Sequence, residues 1–173
     1  MKKLILIIMA AVMCTAFTAC KNDGNNGDKD SNNSISSKSE QQSSAVTAEK
    51  TPAEKAAELL DTVTFPEMVS KDMDFVEVTL GITDDMVSNH VYYVCGSGAM
   101  PDEFGIFIAA SEDAAAEIRE KIYDRIDYQR DTYTSYAPDE AYKLTDAFCE
   151  VVDGNTVIYA VCAENRKARE ILS

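Results

Sequence analysis

The feature that most constrains the fold is a break in composition at residue 51. Before it, Leu4 to Ala19 forms a charge-free, mainly apolar run behind Lys2 and Lys3. Residues 21–51 are then built from Asn, Ser, Asp, Gln and Lys, with almost no large apolar side chain. A polar stretch of that kind buries too little apolar surface to offset its ordering entropy, which predicts disorder. Any core must therefore come from residues 52–173. That length suits one domain, and it can close a single core without disulfides.

A cationic start, a short apolar stretch and small residues before a cysteine are what a cleaved secretory signal needs. The run is shorter than the roughly 20 apolar residues of a membrane-spanning helix. Phe17-Thr18-Ala19-Cys20 resembles a bacterial lipobox, in which the cysteine is lipidated and becomes the mature N-terminus. Cys14 fits less well, because Met13 fills the small-residue position before it. The expected organisation is a signal peptide over 1–19, lipidated Cys20 with a polar linker over 20–51, and a domain over 52–173. Two acyl chains anchor stably where one does not. A flexible linker of this length reaches about 30 Å. The domain is thus expected on the extracytoplasmic face of the cell membrane, close to the lipid.

Charge is unevenly placed. Residues 52–173 hold ten Lys and Arg against twenty-five Asp and Glu, a net charge of −15, whereas the linker is nearly neutral. Such a domain is repelled by nucleic acid and by anionic lipid, so no nucleic-acid partner is expected. The charge favours cationic partners or bound divalent ions, and an extracytoplasmic protein or an envelope component is the partner class expected. Three of the five cysteines, Cys95, Cys149 and Cys162, fall in the domain. An odd count without a C-x-x-C argues against both a disulfide framework and a zinc site. Buried thiols are expected, with a Cys149–Cys162 bridge as the minor alternative.

Thr51-Pro52-Ala53-Glu54 is a helix start: a capping Thr, Pro at the first position and Glu to close a capping box. Phe75, Val76, Val78 and Leu80 suggest a short strand before Gly81. Val91 to Cys95 and Phe104 to Ala109 read as strands paired across a loop. Ser111 caps the longest helix, in which Ala115, Ile118, Ile122, Ile126, Gln129 and Tyr133 mark one face. A short helix is expected from Pro138. Phe148 to Val152 and Thr156 to Val161 read as a hairpin with Gly154-Asn155 as its two-residue turn, central in the sheet because both faces are apolar. Glu164 to Leu172 reads as a terminal helix. The fold class is α+β: an antiparallel sheet of about four strands from two hairpin–helix units, with helices packed on one face.

Candidate chemistry is sparse. His90 is the sole histidine and Ser97 the most nucleophile-like serine, but strand between them spans roughly 23 Å unless the chain folds back. Asp102 and Glu103 close the loop Gly96-Ser97-Gly98, and paired carboxylates can share a proton or hold a divalent ion. They equally read as polar residues at a hairpin end. Tyr123, Tyr128, Tyr133, Tyr136 and Tyr142 cluster near the end of the long helix, where Arg125, Gln129 and Arg130 would join them in an aromatic rim or in half-buried packing. Asp28-Lys29-Asp30 begins like a calcium loop but lacks its glycine and places the Glu late. No phosphate loop or H-E-x-x-H occurs, and no metal site or cofactor is called for. The candidate binding surface is Gly96, Ser97, Gly98, Asp102, Glu103, Arg125, Gln129 and Tyr136.

Several segments carry a family resemblance: Thr64-Phe65-Pro66-Glu67-Met68, Gly81-Ile82, Gly96-Ser97-Gly98-Ala99 leading into Asp102-Glu103, Arg125 to Gln129, Tyr136-Ala137-Pro138 and the final hairpin. In that order they cover about Thr51 to Ala163, and the chain resembles the domain of unknown function 4358 family of small bacterial lipoproteins. The resemblance implies class and location and no mechanism. The functional expectation is a membrane-anchored, non-catalytic binding or adaptor module. The alternative is a carboxylate-based hydrolase acting on envelope material.

Overall fold

The computed structural model describes residues 50–173; the expected signal peptide, the expected lipidation site Cys20 and the part of the expected linker before Lys50 lie outside the described residues. Helix α1 (Pro52–Thr62) opens with Thr51 accepting from the Glu54 amide while Glu54 reaches back to the Thr51 amide, the capping box foreseen from sequence. Strand β1 (Met68–Ser70) and helix α2 (Met73–Leu80) follow. A single 3-10 turn, Asp84–Met86, leads into β2 (Val87–Cys95), which pairs with β3 (Glu103–Ala109). Helix α3 (Glu112–Tyr136), the short α4 (Tyr142–Thr145), the hairpin β4 (Phe148–Val152) and β5 (Thr156–Val161), and α5 (Asn165–Leu172) complete the chain.

The sheet is antiparallel, in the order β1-β2-β3-β5-β4. The α+β class and both hairpin–helix units hold, with a three-residue edge strand, β1, as the fifth member. Helices cover both faces rather than one. Val76, Leu80, Ile118, Ile122 and Ile126 from α2 and α3 pack on Tyr92, Phe107 and Tyr159. On the other face Ala56, Leu59, Ala168 and Leu172 from α1 and α5 pack on Phe104, Ile106, Ile158 and Ala160. The reason is alternation. Successive residues of β3 and β5 point to opposite faces, and both sets are apolar, so neither face can be left to water.

Two local expectations fail for identifiable reasons. Phe75 to Leu80 is helix, not strand. Asp72 caps it by accepting from the Phe75 amide, and Gly81 closes it at φ 67°, so Val76 and Leu80 fall on one buried side. The β4–β5 turn has three residues, Asp153, Gly154 and Asn155, because Asp153 as well as Gly154 takes a positive φ (51° and 80°). The register therefore moves by one: Cys149 opposes Tyr159, not Ala160. The hairpin is also not central as a whole, since β5 is interior and β4 forms an edge.

Candidate functional site

Strand β3 is central and β2 and β5 flank it, so one face brings Glu103, Tyr92 and Tyr159 together. Helix α3 lies over that face and presents Arg125, Gln129 and Tyr133, one turn apart and on one side. Glu103 is 1% exposed. A buried carboxylate is tolerated only when paired and hydrogen-bonded, and this one is both. Its Oε2 accepts from Arg125 Nη2 (3.1 Å), Gln129 Nε2 (3.0 Å) and the Tyr92 hydroxyl (3.3 Å). Its Oε1 accepts from the Tyr159 hydroxyl (3.3 Å) and from Arg125 Nε at 3.5 Å. Burial first, and the Glu103 charge second, push the Tyr92 and Tyr159 phenols well above their ordinary range, so both stay protonated and donate. Burial works against the Arg125 charge, but the Glu103 carboxylate outweighs it and the pKa is raised.

One atom of this network is left over. Gln129 is 5% exposed, its Nε2 is committed to Glu103, and its Oε1 is buried with no hydrogen-bond partner among the described residues. An orphaned buried amide oxygen costs about 1–3 kcal/mol, so it is a place where a ligand or water donor gains most. One turn further on, the Tyr133 hydroxyl donates to the Gly98 carbonyl (3.2 Å) and ties the loop to α3. Tyr136 meets Tyr133 edge to face at 6.2 Å and is itself exposed. Residues 96–100 are exposed as well. The predicted surface is thereby split by depth. Gly96, Ser97, Gly98 and Tyr136 lie outside, Arg125 is half-buried, and Glu103 and Gln129 lie beneath.

Asp102 does not join them. As the neighbour of Glu103 on an extended strand it faces the other way, where Lys143 of α4 holds it at 2.7 Å. Asp102 and Glu103 do stand at the end of the β2–β3 hairpin, as read from sequence, but both are buried, each with its own cation. A carboxylate pair for glycoside chemistry needs both groups flanking one bond, about 5–9.5 Å apart across a cleft. Two acids on opposite faces of a sheet, each neutralised, do not offer it. Ser97 and His90 are likewise engaged apart: Ser97 Oγ lies 3.2 Å from Cys95 Sγ and accepts from the Ala99 amide, while His90 stacks on Phe107.

The remaining tyrosines divide. Tyr123 donates to the Cys149 carbonyl (2.9 Å), a packing role. Tyr128 is exposed and lines a groove of about 380 Å³ between α2 and α3 with Leu80, Lys121 and Arg125. Cys95, Cys149 and Cys162 are free and buried. Cys149 and Cys162 belong to opposite core layers, which excludes the bridge. Burial pushes the Cys149 thiol up to about 12 and that of Cys162 up to about 11.

Sequence reasoning missed Tyr92, Tyr159 and Lys143. The strand parity that puts Tyr92 and Tyr159 beside Glu103 was available once the hairpins were aligned; nothing local marks Lys143. Among the described residues no cluster of His, Cys, Asp and Glu could hold a metal ion, and no helix is long and apolar enough to cross a membrane. The model of one protein family, described as Domain of unknown function (DUF4358), matches residues 61–162, a stretch that contains all of β2, β3, α3 and both carboxylates. No curated protein and no solved structure matches the chain.

Proposed function

Because the chain belongs to the DUF4358 family, a domain of unknown function, its own geometry has to supply the reading, and we propose that it is a non-catalytic binding module. Its contact surface is the loop 96–98 with the Arg125, Gln129 and Tyr136 side of α3. The observation that carries this is the orphaned Gln129 Oε1, one helical turn from the Tyr133 hydroxyl that ties the loop to α3. A network that satisfies every lone pair of Glu103 yet leaves that oxygen bare is complete as a support and incomplete as a site. Exposed Gly98 and Tyr136 supply the rim: backbone for close approach, and a rigid amphipathic ring. The acids are neutralised in place, which supports recognition over proton transfer.

The test is a photo-crosslinking side chain at Tyr136 in intact cells, with Glu58 on α1 as the control position. A saturable adduct at Tyr136 that is absent at Glu58 is the expected result. Equal labelling at both positions, or none at Tyr136, contradicts the surface.

The module works, in this proposal, at the extracytoplasmic membrane face, held by lipid on Cys20. A net charge of −15 over residues 52–173 opposes electrostatic attachment to an anionic surface, so the acyl chains must supply it. Metabolic labelling with a lipid analogue is expected to mark the wild type and not Cys20→Ala, which should leave the membrane fraction. A Cys20→Ala protein that stays membrane-bound in high salt overturns this assignment.

A further inference from the structure

The face of β3 that carries Phe104 and Ile106 runs out of cover before the strand ends. Both side chains are buried in the layer that α1 and α5 form. Ile108 is the next residue on that face, by the alternation of a strand, yet it is half-buried and belongs to neither core cluster. The cause is where α1 begins. Its first residue is Pro52 and its core side chains start only at Ala56. Ile106 and Ile108 are left to line a groove of about 370 Å³, between Pro52 on one side and Asp153 and Asn155 of the β4–β5 turn on the other.

The rim of this groove holds no unpaired cation. Lys50 gives its Nζ to Glu58 at 2.5 Å, and Lys55 gives its own to the Leu172 and Ser173 carbonyls at 2.7 and 3.1 Å. What the groove offers is uncovered apolar surface, which is stabilised by an aliphatic occupant. The described residues begin at this rim, since Lys50 itself lines the groove. Just upstream stands Val46-Thr47-Ala48. Val46 is one of only two large aliphatic residues between positions 21 and 50, the other being Ile35. Four residues of extended chain span at most about 14 Å, so the covalent link at Lys50 keeps Val46 beside the groove. Val and Thr also favour the extended backbone that a narrow groove on a strand accepts.

We propose that residues 46–48 dock in this groove with the Val46 side chain on Ile108. The tether then joins the domain at the Ile108 end of β3, roughly 17 Å of strand away from Glu103, and leaves the loop 96–98 clear. The docking stands without the binding reading above; only this consequence rests on it. The test is nuclear Overhauser contact between methyl groups in the full chain, held in neutral detergent. Cross-peaks between the Val46 and Ile108 methyls are expected. Val46→Asp should shift the Ile108 methyl resonance and leave that of Ile122, buried on the other face, in place. Ile35→Asp should move neither. Missing Val46–Ile108 cross-peaks, or an Ile108 resonance indifferent to Val46→Asp, overturns the proposal. So do Ile108 cross-peaks to acyl chains or to a second copy in place of those to Val46. No partner is present in this measurement, so its failure is distinguishable from a failure of the crosslink at Tyr136.

Discussion

Replacing Arg125 by Met separates the two accounts of Glu103, a stabilised buried charge or a group that the fold merely tolerates. Among the described residues, Arg125 is the only cation bonded to the Glu103 carboxylate, which is 1% exposed. Removing one partner of a buried pair costs about 3–5 kcal/mol, because the other charge stays desolvated. Three neutral donors, Tyr92, Tyr159 and Gln129, would remain, and the Arg125 side chain is itself 23% exposed. Both facts place the loss near the lower end, about 3 kcal/mol. For a domain of this size that is a fall in Tm of roughly 10–15 °C. Glu103→Gln keeps the shape, removes the charge and lets Arg125 turn to water, at about 1 kcal/mol. The double variant should lose less than the two single losses combined, since both remove the same interaction. Urea unfolding followed by circular dichroism at neutral pH gives all three values. If Arg125→Met proves no more harmful than Glu103→Gln, Glu103 is not held as a charge that needs its cation, and the account of the site fails.

Other predictions follow from packing and titration. A Cβ at Gly105 would stand 2.5 Å from Phe107 Cε2 and 2.6 Å from Tyr159 Cε1, so Gly105→Ala should destabilise by about 1–3 kcal/mol in the same unfolding assay. Cys149 and Cys162, with thiols raised to about 12 and about 11, should resist iodoacetamide at pH 8 in the native protein and react within minutes in denaturant. Fast native labelling would contradict their burial. The Thr51 amide, the largest cause, holds the Glu54 carboxyl below its usual value of 4.5. That contribution is present above the unfolded pKa and is lost as pH falls through the lower folded one, so the urea midpoint of Glu54→Gln should approach that of wild type as pH falls below 4.5.

The legible parts of the fold were those where one period dominates. In α3 the residues named from spacing, Ala115, Ile118, Ile122, Ile126, Gln129 and Tyr133, are the buried ones, because a long helix on a sheet has one apolar stripe. Helix α2 was misread because Phe, Val and Leu over a short run satisfy either period; Asp72 and Gly81, the caps, held the answer. The β4–β5 register turned on whether Asp153 would accept a left-handed backbone, which strand pattern does not decide. Covering helices on both faces could have been inferred, since the final hairpin was seen to be apolar on both sides. At the site, Arg125 and Glu103 were named from sequence as surface groups, while Gln129 stood both on the core-facing stripe of α3 and in the candidate surface. Their burial depends on a long-range pairing of α3 with β3 that local sequence does not encode. Lys143 meets Asp102 across forty-one positions and left no local trace.

The proposal that the buried, unpartnered Gln129 Oε1 takes part in recognition is tested most directly by Gln129→Leu. That change removes the orphaned oxygen together with one of the donors to Glu103, so the two effects on stability oppose each other and the net should stay within about 1 kcal/mol. With the crosslinking side chain at Tyr136, the account predicts that Gln129→Leu keeps its Tm and its level at the cell surface and loses the saturable adduct. An undiminished adduct in a normally folded Gln129→Leu protein would show that this oxygen takes no part in recognition.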